Sequence, residues 1–179
     1  MKISTYKAKC QTFITMTDKM MLRHYLKLGF IEEVGELAGK FAKVIRSKSV
    51  ICLSTEERLA IVKELGDVLW FAVCSCDGRI DFELSVRIVE RLRYSRENLD
   101  PYRVYSPDGI EQCINNLVQE YCSVSLVGMN AERCEHIFTN VVIIANTIGY
   151  TLDEVMQINI DKLTDRRERG VINGSGDNR

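Results

Sequence analysis

Apolar residues recur along this chain at steps of three and four, and strict apolar–polar alternation is almost absent. That periodicity belongs to amphipathic helices, not to half-buried strands. Glycine is sparse and proline occurs only at Pro101 and Pro107, so long stretches can run without a break. The pattern predicts an all-α protein. A first helix covers about Thr5 to Met16, and a second, capped by Thr17 or Asp18, runs to about Ile45. "RSKSVICLS" follows as a loop, with the short VICL run as the one weak strand candidate. Ser54 and Glu57 make a capping box for a third helix that reaches about Cys76, with Gly78 as its stop. Asp81 caps a fourth helix to about Asn98. Both prolines fall in the turn-rich "LDPYRVYSPDG", and Ser106 with Pro107 opens a fifth helix. Asn130 caps a sixth that ends at Gly149. Thr151 and Glu154 form a second capping box, starting a last helix to about Glu168. "GVINGSGDNR" reads as a mobile polar tail, although its GSGDNR end has the groups to close over an anion.

The linker separates two helical halves, 1–99 and 100–179, which can still pack as one compact domain. The halves resemble each other in sequence, through kinship or by the chance likeness of two amphipathic helices: "GRIDFELSVRIVERLRYSRE" aligns without a gap to "GYTLDEVMQINIDKLTDRRE". Gly78 meets Gly149, Glu83 meets Glu154, Leu92 meets Leu163 and Arg96 meets Arg167. Further upstream "IEQCINNLVQEY" faces "IEEVGELAGKFA", with most carboxylates turned into amides. The expectation is a tandem, pseudo-dimeric bundle whose second half has become scaffold. A plain insertion of two helices into one unit is the rival.

Composition narrows the partners. The chain is 46% hydrophobic and 27% charged with a formal net charge of -1, which gives no electrostatic reason to bind nucleic acid or a membrane surface. No apolar run approaches a membrane span, and the N-terminus lacks a signal-peptide pattern, so a cytoplasmic location is expected. Seven cysteines form no CxxC pair, and with only His24 and His136 beside them no zinc spacing arises; they read as reduced thiols.

The candidate chemistry is acidic. "GFIEEVGELAGK" sets Glu32, Glu33 and Glu36 among Phe30, Ile31, Val34 and Leu37, and "KELGDVLW" sets Glu64 and Asp67 among Leu65, Val68, Leu69 and Trp70. Residues three apart share a helix face. Packed antiparallel, the two helices bring four or five carboxylates into one partly buried place. Such a cluster repels itself unless a hard divalent cation enters, and magnesium prefers carboxylate oxygens while leaving ligand positions for water and phosphates. A di-iron bundle would need Glu-x-x-His pairs, which neither histidine supplies.

The pair Glu32-Glu33-x-x-Glu36 and Glu64-x-x-Asp67 resembles the paired motif of the MazG-like all-α nucleoside triphosphate pyrophosphohydrolases. "KELGDVLWF" and "GYTLDEVMQINIDKLTDRRERG" add to the resemblance. It implies a magnesium-dependent enzyme, with manganese as a substitute, that cleaves a nucleoside triphosphate to monophosphate and pyrophosphate. Glu33, Glu36, Glu64 and Asp67 then bind metal, while Asn159, Lys162 and Arg166 lie near the phosphates. Lys162 also acts in catalysis, Glu32 or Glu33 is the general base, and Trp70, with Phe71, His24 and Tyr25, is the candidate for the base contact. Homodimers or larger homo-oligomers are implied as well. In the family's compact pattern the Asn-x-x-Lys-Leu helix follows soon after Asp67, but here Ile88 stands where the asparagine would be, and the motif appears only at Asn159. The last helix is therefore expected to cross over to the first half's carboxylates. The alternative function is a non-catalytic helical protein that keeps the fold and binds a nucleotide or a partner.

Overall fold

Four helices of this chain begin where a side chain accepts from the backbone N–H groups that a first turn leaves unpaired, whereas the first starts after Lys2 without such a cap. The computed structural model describes residues 1–78, 80 and 104–171. In order these form α1 (Ile3–Gln11), α2 (Lys19–Lys48), β1 (Ile51–Cys52), α3 (Thr55–Ser75), β2 (Val104–Tyr105), α4 (Pro107–Val127), α5 (Ala131–Thr147) and α6 (Leu152–Glu168). Asp18 accepts from the amides of Met20 and Met21, and Asn130 accepts from Arg133. Ser54 with Glu57 and Thr151 with Glu154 both complete capping boxes. The helix expected from Asp81 to Asn98 lies outside the described residues, as do the first-half side of the internal repeat beyond Ile80 and the GSGDNR tail.

The fold is all-α, with one antiparallel pair of two-residue strands among the described residues. VICL does pair: Ile51 faces Tyr105 and Cys52 faces Val104, which pins the α2–α3 turn to the chain entering α4. α2 and α3 run antiparallel, since Lys40 reaches Glu64 near one end of the contact and Gly29 meets Phe71 near the other. α4 lies along α2, where Phe30 and Tyr121 stack 6.4 Å apart. α5 lies along α3, where the Cys134 thiol reaches the Ala72 carbonyl. α6 closes on α3 from another side, and α1 covers their junction. One continuous apolar cluster fills the middle; Leu37, Leu65, Leu69, Leu117, Ile137 and Ile144 are fully buried in it. Emptying one such leucine site to alanine costs about 2–5 kcal/mol.

Three boundaries depart from the sequence expectation. α1 ends at Gln11 instead of near Met16, because the amides of Thr12, Phe13 and Ile14 turn back to carbonyls only three residues away. That turn buries Phe13, and the Arg167 guanidinium covers its ring at 4.7 Å. α2 continues past Ile45 to Lys48, as Arg46, Ser47 and Lys48 contain no breaker, and stops at Ser49 in the left-handed region with φ 57°. α5 ends at Thr147, and Gly149 then supplies the positive φ that starts the turn into α6. No disulfide forms, and no described helix is long and apolar enough to cross a membrane.

Candidate functional site

Antiparallel packing of α2 on α3 brings Glu33, Glu64 and Asp67 to one point, with one carboxylate oxygen of each within 4.8 Å of the other two. Glu64 is buried and the other two are half-buried. Their mutual repulsion is visible in Glu33. Burial, helped by the charges of Asp67, Glu64 and Glu36 and opposed by Lys162, pushes its carboxyl up to about 8. Two lysines answer the cluster from opposite ends. Lys40 pairs with Glu64 at 2.9 Å, and Lys162 pairs with Asp67.

The Asp67 side is built with more care. Asn159 is fully buried and donates to Asp67 Oδ1 at 3.0 Å. Its own carbonyl oxygen accepts from the Tyr6 hydroxyl at 2.8 Å, and the Gly66 carbonyl lies 3.2 Å from the same hydroxyl. Burial holds the Tyr6 phenol well above its usual range, so it stays a donor. Gly66 permits the approach: a Cβ there would lie 2.8 Å from Asn159 Cβ. α1, α3 and α6 thus meet around one amide that orients one carboxylate.

Of the residues expected from sequence, Glu33, Glu64, Asp67, Asn159 and Lys162 come together. Asn159 and Lys162 both reach Asp67 from α6. Glu36 sits on the same helix but is exposed and stands outside the carboxylate trio; Glu32 is exposed too, and Arg166 is half-buried. Trp70 is 8% exposed, edge-on to Phe71 at 4.8 Å and to Tyr25 at 6.5 Å, and its buried indole N–H has no hydrogen-bond partner. His24 and Tyr25 are exposed. Two participants escaped the sequence reading. Lys40 looks like a surface partner of Glu36 by spacing, and it also crosses to Glu64. Tyr6 gave no signal beyond an aromatic in an amphipathic helix.

The trio offers hard oxygen donors only, with no histidine or thiol among them, and it is short of positive charge. Those properties suit a magnesium- or manganese-like ion. Glu33, Glu64 and Asp67 can hold one.

Comparison with known proteins bears on the same segment. Residues 22–97 match the family model of the MazG nucleotide pyrophosphohydrolase domain. That segment is MazG-like. The MazG-like segment contains Glu32, Glu33, Glu36, Glu64, Asp67 and Trp70, and it leaves out Tyr6, Asn159 and Lys162. Among curated proteins the chain is similar to the Gene 37 protein of Mycobacterium phage L5. The two are 24% identical over 155 residues, covering 87% of this chain and 75% of the phage protein. No solved structure matches it.

Proposed function

We propose that the protein is a magnesium-dependent nucleoside triphosphate pyrophosphohydrolase that converts a nucleoside triphosphate to the monophosphate and pyrophosphate. The observation that carries this reading is the meeting of Glu33, Glu64 and Asp67 with Asn159 and Lys162, five chemically complementary groups from three helices. A bound divalent cation would reverse the local charge for an anionic substrate and supply an activated water. Glu33, Glu64 and Asp67 would hold it, and Glu36, on the exposed edge, would complete the set once the ion draws it in. Asn159 fixes the rotamer of Asp67. Lys162 neutralises Asp67 in the metal-free protein and stands where a phosphoryl oxygen can take over its ammonium. Arg166, one turn further along α6, extends the positive charge. A carboxylate not fully used as ligand, Glu33 or Glu32, receives the proton of the attacking water. Trp70, Phe71 and Tyr25, packed edge to edge, are the candidates for the base contact.

The site is composite in this reading: residues 1–99 supply the carboxylates and residues 100–179 return Asn159 and Lys162 on α6. A homodimer would have Met20, Met21, Tyr25 and Leu28 to bury, four large apolar side chains left exposed on the first half of α2. The test is a panel of ribo- and deoxyribonucleoside triphosphates with magnesium, assayed for pyrophosphate against an Asp67→Asn, Glu64→Gln variant. Pyrophosphate release by the parent, reduced at least a hundredfold in the variant, is expected. Release of single phosphate would mean a different bond is cut. No release from any triphosphate would leave the non-catalytic nucleotide-binding protein as the better reading.

A further inference from the structure

Cys76 closes α3 as its C-cap, and Cys134 lies in the first turn of α5. A backbone bridge between Cys76 and Met129, just ahead of the α5 cap Asn130, brings the two helix ends together. The two thiols share a hydrogen bond. The Cys134 Sγ also lies 3.5 Å from the Ala72 carbonyl, one turn back in α3. Both side chains are buried, and neither is in a disulfide. Thiols already in contact need no backbone movement to meet, which is the usual obstacle to a new cross-link.

The pair is unequal. Lys7 reaches in from α1 and donates to the carbonyls of Cys76 and Gly78, at 2.6 and 2.5 Å, which sets its ammonium beside the thiols. The hydrogen bond from Cys134 holds the Cys76 thiol down at about 6 against the effect of burial, helped by the Gly78 backbone and Lys7. The same contact, with burial, pushes Cys134 the other way, so it keeps its proton. We propose that Cys76 and Cys134 are a peroxide-sensitive modification site, closing to a reversible disulfide that ties the end of α3 to the start of α5. In the first step the Cys76 thiolate attacks one oxygen of hydrogen peroxide. The O–O bond breaks, and the hydroxide that leaves takes up the proton the Cys76 thiol gave up, forming water and a sulfenic acid on Cys76. In the second step the Cys134 sulfur attacks the Cys76 sulfur and the S–O bond breaks. The departing hydroxide takes the Cys134 proton as a second water. Two thiols are oxidised and one peroxide is reduced. Peroxide is little larger than water, which suits a thiol only 3% exposed. The bond would join residues 1–99 to residues 100–179, nine positions along the chain from Asp67 and apart from the carboxylates.

The experiment treats the reduced, folded full chain with one equivalent of hydrogen peroxide, alkylates the remaining thiols and maps a digest by mass spectrometry without reduction. A peptide cross-linked through Cys76 and Cys134 is expected, and dithiothreitol should reverse it. It should form at least tenfold faster than the exposed Cys122 is oxidised. Closing a long loop restricts the unfolded chain, so the oxidised protein should melt several degrees above the reduced one. In a Cys134→Ala variant the second step has no thiol, and Cys76 should accumulate as a sulfenic acid that a 1,3-dione traps. The cross-link is mapped on the parent, so the proposal stands or falls even if that variant folds poorly. A dominant bond between another pair, such as Cys10 and the neighbouring Cys74, would overturn it. So would oxidation of Cys76 no faster than that of Cys122, a Cys76–Cys134 bond that forms only in denaturant, or an oxidised protein that melts below the reduced one.

Discussion

Gly66 sits in the interior of α3, where glycine costs about 1 kcal/mol relative to alanine in a helix. Its retention makes sense only through Asn159, whose side chain fills the space a Cβ would need. Gly66→Ala should therefore destabilise the protein by about 1–3 kcal/mol in urea titration despite the better helix former, since overpacking outweighs propensity. An unchanged or raised midpoint would show that α6 can shift without cost. Tyr6→Phe makes a gentler probe of the same point. It keeps the ring and removes the donor from Asn159 Oδ1, leaving a buried acceptor unpaired at about 1–3 kcal/mol. If Asn159 does orient Asp67, the variant should also bind magnesium or manganese more weakly. Destabilisation with unchanged metal affinity would reduce Tyr6 to a packing role.

At the scale of the elements, what could be read from sequence was local. The two capping boxes, the Asp18 and Asn130 caps and the i, i+3 carboxylate pairs each depend on residues a few positions apart, and each has its physical cause inside that window. What was hidden depends on partners far along the chain. Lys40 carries its charge across to α3, where it meets Glu64. Tyr6 acts through an amide in α6. VICL becomes a strand only because Val104 and Tyr105 arrive to pair with it. The turn after α1 likewise sets Phe13 under Arg167, a partner near the other end of the chain. The cap of α6 is the local feature with the most direct bearing on the site, because that helix delivers Asn159 and Lys162. Thr151→Ala should cost about 1 kcal/mol of stability. The cap precedes Asn159 by two helical turns and only frays the first, so KM for the substrate should stay within twofold of the parent. A large rise in KM would mean the start of α6, and not only its packing on Gly66, sets the position of those two side chains.

For the whole molecule, the carboxylate cluster couples folding to proton and metal. Glu33 carries a folded-state value of about 8 against an ordinary 4.5. Between those values the unfolded chain has released a proton that the folded protein still holds. The unfolded state then binds fewer protons, so stability must fall as pH rises through that window and level off above it. The direction is opposite to that of a salt-bridged carboxylate, whose stability grows with pH. It follows from burying Glu33 beside Asp67, Glu64 and Glu36, with Lys162 opposing the shift. A divalent cation offsets the shift, because it favours the deprotonated trio and binds the folded chain alone. Melting temperatures in chelator should accordingly decline from about pH 5 to pH 8. Millimolar magnesium or manganese should flatten that decline, with its largest stabilisation at the alkaline end. Glu33→Gln should flatten the profile without any metal, since glutamine has no proton to hold and no charge to bury. A metal-free protein whose stability is constant or rises across this range would show that the three carboxylates do not share one buried field, and the case for a cation between α2 and α3 would fall with it.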